Sequence, residues 1–85
     1  MFLHAGFDNI IMTDKIIAVA GTSDIGVLPA PVVRDVHAAQ DRNQFIDLTN
    51  GRKKASVIYL TDGYVAASAI SAETIASRLK NGARN

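Results

Sequence analysis

The stretch FIDLTNGRKKASVIYLTDGYVAASAI, residues 45–70, decides the fold, because its pattern predicts three strands joined by two tight turns. Asn50-Gly51 and Asp62-Gly63 are strong hairpin signals, since both central residues of a type I′ turn require a positive φ. We expect Asp62-Gly63 to be a two-residue connection between Thr61 and Tyr64. The stretch therefore predicts three consecutive, neighbouring strands at the centre of the fold.

Three consecutive cations follow the first turn: Arg52, Lys53 and Lys54, here called the basic segment. They are a third of the chain's nine Lys and Arg residues. Cations at a turn can neutralise phosphates, and an arginine fork can bind a phosphate or a guanine edge through two hydrogen bonds. The alternative is a solvated turn whose charges protect a strand end from aggregation. We expect the sheet to be a scaffold and the basic segment to bind a polyanion.

The composition indicates one small globular domain, residues 1–85, in which residues 81–85 form a frayed tail. The 85 residues are 48% hydrophobic and 20% charged, a balance typical of folded proteins. The chain has no cysteine, which excludes disulfides and thiolate metal sites. Its formal net charge is +1, so nucleic-acid binding has to come from a local cluster of cations.

The sequence carries no motif that predicts catalysis or a cofactor. His4 and His37 do not lie in a metal-ligand spacing, and the Walker, dinucleotide and nucleophile patterns are missing. The N-terminus lacks the features of a signal peptide, and no apolar run approaches the roughly 20 residues of a membrane span. We therefore expect a cytoplasmic protein that is not an enzyme and that uses no metal, cofactor, small-molecule substrate or membrane.

The remaining segments predict an α+β domain of mostly antiparallel strands with two short helices. Residues 21–29 contain two glycines and a proline and are typical of a loop. Pro31 suits the first turn of a helix that ends near Asn43, and Ser71 suits the N-cap of a last helix that Asn81-Gly82 ends. Before the first helix, strands are expected at residues 2–6, 9–12 and 15–20, with turns at residues 6–9 and 13–14.

Residues 55–60 and 64–70 are almost wholly apolar, and their polar exceptions are Ser56 and Ser68. A strand with one wet face alternates apolar and polar residues, so these strands need cover on both faces. We expect the two short helices to cover one face and a second copy of the chain to cover the other. The alternative is that the small alanines of these strands tolerate contact with water. Self-association also suits a domain this small, which buries only about 60–65% of its unfolded surface.

Several segments together resemble a known family. They are FLHAGFDNII at the start, the strand KIIAVA, Ala30-Pro31 ahead of a helix with Arg34, the helix end Asp41-Arg42, FIDLTNGRKKASVIYLTD, and SAISAETIASRL. From Phe2 to about Leu79 the chain is similar to the RemA family of bacterial extracellular-matrix gene regulators. The most specific parts are the G-F-x-N turn at residues 6–9, the tripeptide Gly51-Arg52-Lys53 and the helix start at residues 72–76.

The resemblance implies a fold akin to LytTR-type DNA-binding domains and a ring-shaped homo-oligomer. It also implies transcription regulation of biofilm-matrix genes, through binding of double-stranded DNA that bends around a basic face. The family's Gly-Arg-Arg motif falls on Gly51-Arg52-Lys53, a family cation after the second strand falls on Lys15, and the helix-opening proline falls on Pro31. The DNA contacts expected on this basis are Arg52, Lys53, Lys54, Lys15 and Arg34.

The chain departs from the family pattern at three places. Lys53 replaces an arginine and keeps the charge but not the fork, Ala55 replaces a further arginine, and the loop at residues 21–29 is longer. The near-neutral net charge leaves a second hypothesis open, a structural or interaction ring that binds a protein or RNA without recognising duplex DNA. A stacking-based binder of single strands would carry aromatic residues beside the basic segment, and Phe45 and Tyr59 lie off the turn.

Overall fold

The computed structural model describes residues 2–6 and 9–82, which form the expected α+β domain with two short helices. The strands are β1 (Phe2–Gly6), β2 (Asn9–Met12), β3 (Ile16–Gly21), β4 (Phe45–Leu48), β5 (Ser56–Leu60) and β6 (Val65–Ser68). The helices are α1 (Ala30–Asp41) and α2 (Ala72–Gly82), and short 3₁₀ turns occupy Thr13–Lys15 and Thr61–Gly63. The centre of the predicted turn at residues 6–9 and the end of the predicted tail, residues 83–85, lie outside the described residues.

The main sheet has the strand order β3-β5-β6-β4, and β1 and β2 form a separate antiparallel hairpin. β5 is antiparallel to both β3 and β6, whereas β4 runs parallel to β6 with Phe45 opposite Val65. The predicted pairing of the two strands that flank Asn50-Gly51 is therefore wrong. A turn signal specifies a local reversal of the chain, and it does not specify which strand the chain pairs with afterwards.

The chain between β4 and β5 passes over one end of β6. Ser68, the last residue of β6, lies opposite Leu48 of β4 on one side and opposite Ser56 of β5 on the other. The Asn50-Gly51 turn itself has positive φ angles of 53° and 80°, as predicted. Residues 53–55 then lead across to β5 without regular structure. This crossing places the basic segment at the end of the sheet.

Four residues, 61–64, connect β5 to β6, two more than predicted, and the first three form the 3₁₀ turn Thr61–Gly63. Asp62 and Gly63 have the expected positive φ angles, 65° and 81°. Side chains from the end of α1 hold this turn, since Arg42 Nη2 donates to the Gly63 carbonyl at 2.9 Å. Gln44 Nε2 donates to the Asp62 carbonyl at 3.0 Å, and Gln44 Oε1 accepts from Arg42 Nε at 2.8 Å. These three hydrogen bonds fix the geometry of the turn against the residues that follow α1.

The same chain covers both faces of β5 and β6. One face packs against α1 in a cluster of buried residues, Val32, Val36, Ala39, Val57 and Val65. The other face packs against β1 and α2 in a second cluster, Leu3, Ala5, Leu48, Ile58, Leu60, Ala66 and Ile75. The expectation that the helices cover only one face is wrong, because α1 and α2 lie on opposite faces and β1 extends the cover beside α2. The central strands therefore offer no face to a second copy.

The two polar residues of these strands, Ser56 and Ser68, are fully buried and hydrogen-bonded. Ser68 Oγ donates to the Ala5 carbonyl at 2.8 Å and accepts from the Ile70 N–H at 3.0 Å. Ser56 Oγ donates to the Ile70 carbonyl at 2.7 Å. Ser68 therefore ties β1 to the end of β6 on the face that the larger apolar cluster covers.

The helix ends follow local sequence signals. Pro31 lies in the first turn of α1, and Asn43, just beyond its end, has a φ of 57°. Ser71 is the N-cap of α2 as predicted, since its Oγ accepts from the Thr74 N–H at 3.2 Å. Within the described part of the chain, neither helix is long and apolar enough to cross a bilayer.

Replacing Ser68 with alanine should lower the free energy of unfolding by about 1–3 kcal/mol, because the buried Ala5 carbonyl and Ile70 N–H both lose this partner. The matched control is Ser77→Ala, at an exposed position of α2, where alanine is a good helix former and little should change. Urea unfolding followed by circular dichroism measures both variants. Equal stabilities would contradict the role given to Ser68.

Gly51 and Gly63 allow a matched test of the two turns, because their φ angles are nearly equal at 80° and 81°. A Cβ on Gly51 would meet nothing within 4 Å, whereas one on Gly63 would lie 3.1 Å from Gln44 Oε1. Gly63→Ala should lower the free energy of unfolding by about 1–3 kcal/mol, and by more than Gly51→Ala does. Thermal unfolding checks the order, and a Gly63→Ala protein that melts at or above Gly51→Ala would show that the Gln44 contact has no effect.

Candidate nucleic-acid interface

Hydrogen bonds between Asp47 and Thr49 fix the backbone ahead of the basic segment. Asp47 Oδ1 accepts from Thr49 Oγ1 at 2.6 Å and from the Thr49 N–H at 2.9 Å. The bond from the hydroxyl, followed by that from the N–H, holds the pKa of the Asp47 carboxyl below its ordinary value. Thr49 is only 3% exposed, so these bonds anchor the start of the crossing in the body of the domain.

The Asn50-Gly51 turn then presents the first two cations. The Arg52 N–H donates to the Thr49 carbonyl at 3.0 Å and closes the turn. The side chains of Arg52 and Lys53 are both exposed. The Lys53 ammonium lies over the loop before α1, since a Cβ on Gly26 would be 3.1 Å from Lys53 Nζ. Arg52 therefore closes a short, hydrogen-bonded turn at the end of the sheet, and Lys53 directly follows it.

Lys54 and Arg34 are associated with α1. Lys54 is half-buried and borders a hollow of about 120 Å³ whose walls come mainly from α1. Its charge also makes a small contribution to lowering the pKa of Asp47. Arg34 is exposed and follows Val33, which lines the same hollow. The third cation of the basic segment is therefore held against a helix, unlike the first two.

Lys15 lies at the opposite end of the sheet. It is exposed in the turn before β3, and it borders a hollow with Leu60 and Asp62. The five residues of β5 separate this end from the basic segment, a distance of about 17 Å at roughly 3.4 Å per residue. The structure thus places Arg34 on α1 next to Val33, which borders the same hollow as Lys54, and it does not bring Lys15 to the basic segment within one chain.

Acidic residues also lie at the end of the sheet that carries the basic segment. Asp24 is exposed on the loop before α1, and Glu73 borders a hollow with Thr22 and Ala55. The hollows here measure about 120 Å³ each, well below the roughly 300–1,000 Å³ of a small-molecule pocket. The described residues also contain no group of three His, Asp or Glu side chains placed to hold a metal ion. The surface suits an extended polyanion better than an enclosed small ligand.

One polar pair at the other end of the sheet was not predicted from the sequence. Tyr59 OH donates to Asp35 Oδ2 at 2.6 Å, across 24 positions of the chain. Burial, followed by this hydrogen bond, raises the pKa of Tyr59 to about 12. The pair borders a hollow of about 520 Å³ between α1 and strands β3 and β5, with Arg42 on its wall. No spacing within a single element could have predicted this contact.

Comparison with known proteins identifies the family. A family model described as RemA-like, "Extracellular matrix regulatory protein A-like", matches residues 2–79. Proteins named "Putative regulatory protein" in Bacillus cytotoxicus, Bacillus mycoides and Bacillus cereus are each 41% identical to this chain over 80 residues. The matched part covers 94% of this chain and 86% of each relative. With a match over nearly its whole length, the chain belongs to the RemA-like family.

Proposed function

We propose that the chain is a transcriptional regulator that assembles into a ring and binds double-stranded DNA through the basic segment. The description of its family and the names of its relatives support a regulatory role over an enzymatic one. The family description also supports genes of the extracellular matrix as the targets. In this proposal the protein acts in the cytoplasm, where the DNA of its bacterial relatives lies.

The exposed, pre-ordered pair Arg52 and Lys53 carries the proposal. A cation on a fixed backbone loses less conformational entropy on binding than a cation on a mobile loop. The bonds between Asp47 and Thr49 and the closed turn after them supply that order. Arginine adds a planar fork that matches two phosphate oxygens, so Arg52 should make the strongest single contact, with Lys53 as a point charge beside it.

Self-association supplies the charge that a single chain lacks. The formal net charge is +1, and Asp24 and Glu73 lie at the same end as the basic segment. Affinity for duplex DNA grows with the number of phosphates that are neutralised, so a ring that repeats the basic segment compensates for the weak charge of each copy. Lys15 contributes only if the duplex reaches the far end of β5 or a neighbouring copy presents it.

The mixed charge of this surface favours one alternative, a structural or interaction ring that binds a protein or RNA. A surface with both signs of charge can be matched by opposite charges on a protein partner. The connection between β4 and β5, residues 49–55, contains no aromatic side chain that could stack on an unpaired base. A protein partner is therefore the stronger form of this alternative.

Fluorescence anisotropy with labelled duplex DNA across a salt series tests the proposal. Arg52→Ala should weaken binding about tenfold or more, because a hydrogen bond to a charged group contributes about 1.5–3 kcal/mol. The slope of log affinity against log salt should flatten by about 0.9 for each phosphate that the variant no longer neutralises. Lys53→Ala should have a smaller effect, and Lys54→Ala the smallest, because Lys54 is half-buried against α1.

Lys80→Ala is the matched control, since it removes one exposed cation from the last turn of α2. Affinity and slope should stay near those of the wild type, and light scattering should give the same mass for all these proteins. Unchanged affinity and slope in a still-assembled Arg52→Ala protein would remove the basic segment from the mechanism and favour the interaction ring. A monomeric wild type at micromolar concentration would refute the ring.

A further inference from the structure

Four of the five exposed large apolar side chains among the described residues form two separate pairs. Ile25 and Val27, 80% and 55% exposed, lie on the loop before α1 and form what we call the knob. Ile17 and Tyr64, 67% and 42% exposed, border the hollow of about 520 Å³ beside α1, which we call the groove. Ile46 lies outside the groove, in an adjoining hollow. Exposed apolar patches on a small domain mark interaction sites.

The knob is an ordered projection. The Ser23 N–H donates to the Val27 carbonyl, and the Gly26 N–H donates to the Ser23 carbonyl, each at 2.8 Å. Gly26 has a φ of 78°, a backbone angle that glycine adopts without strain and that permits this tight closure. These bonds hold the loop in a shape that presents Ile25 to solvent.

The groove lies between α1 and the edge strand β3. The register of β3 against β5 shifts between Ile16 and Ala18, which makes a bulge at Ile17. A bulge re-aims the side chain that it contains, and here it leaves Ile17 exposed at the border of the groove. Ala38 of α1 and Tyr64 supply further apolar wall. The result is an apolar hollow within the size range of binding pockets, roughly 300–1,000 Å³.

The knob and the groove lie at opposite ends of the sheet. The knob follows Gly21, which pairs with Ser56 at the start of β5, whereas the groove includes Leu60 at the end of β5. The strand spans about 17 Å, so the two patches do not cover each other within one chain. Unlike surfaces at opposite ends of a subunit give a head-to-tail contact, which closes into a ring when the rotation between copies permits.

Each patch has charges of both signs beside it, so the charges of two copies can be paired: Asp24 and the Lys53 ammonium lie at the knob, and Arg42 and Asp35 line the groove. Asp24 precedes Ile25 and is exposed, while Arg42 lies on the wall of the groove. Arg42 donates through Nε and Nη2 within its own chain, and a guanidinium has further N–H donors. A carboxylate brought in with the knob would therefore meet a cation at the groove.

We propose that the knob of one copy inserts Ile25 and Val27 into the groove of the next copy. The occupant is a second copy of this chain because one chain carries the apolar projection and the apolar hollow at opposite ends, each with charges that can be paired between copies. The proposal rests on the proposed self-association and specifies its interface. It also places the basic segment beside each subunit junction, since the Lys53 ammonium lies over Gly26 of the knob.

Two single variants and their mixture test the contact. Ile25→Glu removes the knob and keeps the groove, and Ile17→Glu does the reverse. Both positions are exposed, so both variants should fold, which circular dichroism verifies. Sedimentation velocity should find each variant monomeric alone. An equimolar mixture should form a heterodimer and nothing larger, because one intact knob and one intact groove remain. The mixture is examined at about 100 µM, since a single contact lacks the avidity of a ring.

Ile46→Glu is the matched control, because it places the same charge at an exposed isoleucine outside the groove, and it should assemble like the wild type. Wild-type assembly that persists in both Ile25→Glu and Ile17→Glu would overturn the contact and leave the ring intact. Monomeric variants whose mixture stays monomeric would also overturn it. A monomeric wild type would refute the contact and the proposed self-association together. An assembled protein with no affinity for duplex DNA would refute only the DNA-binding proposal.

Discussion

Strands β5 and β6 carry apolar side chains on both faces, and burying both faces determines where the helices and the β1–β2 hairpin pack. Successive side chains of a strand point to opposite faces, so Val57 is buried beneath α1 while Ile58 is buried beneath β1 and α2. Burial of one such side chain contributes about 1.5–3 kcal/mol. The domain satisfies both faces by dividing its few elements between them, with one helix on each side. Its interior therefore closes within a single chain, and a contact between copies cannot use the covered faces of β5 and β6.

The position of the basic segment follows from the same arrangement. β6 pairs with β5 along one edge and with β4 along the other, so the chain from β4 to β5 passes over the end of β6. On one side of this crossing Ser68 is hydrogen-bonded to β1, and at its start Thr49 is hydrogen-bonded to Asp47. The backbone that carries Arg52 and Lys53 therefore follows residues that are fixed by hydrogen bonds. A simple hairpin between β4 and β5 would have placed the same cations along a strand pair instead.

Local signals in the sequence predicted turns and helix ends, but they could not predict which strands pair with each other. The positive φ angles at Asn50-Gly51 and Asp62-Gly63 and the N-cap at Ser71 are confirmed, because each depends on residues a few positions apart. The parallel pairing of β4 with β6 was missed, since the turn after β4 is the same whichever neighbour the strand takes. The three cations of the basic segment are consecutive, so their backbones lie together whichever strands pair. The distance of Lys15 from them depends on the order of the strands in the sheet. For the knob the sequence predicts only a long loop, because the bonds that order it join Ser23 to Gly26 and Val27 and no motif marks these residues as partners.

Position-specific photocrosslinking tests most directly whether the basic segment contacts duplex DNA. A photoreactive lysine analogue in place of Lys53 keeps the positive charge, and the same analogue in place of Lys80 provides the control at an exposed position near the end of α2. On irradiation with duplex DNA, we predict strong crosslinking from position 53 and almost none from position 80. Equal crosslinking from both positions, or crosslinking from position 80 alone, would contradict DNA binding through the basic segment.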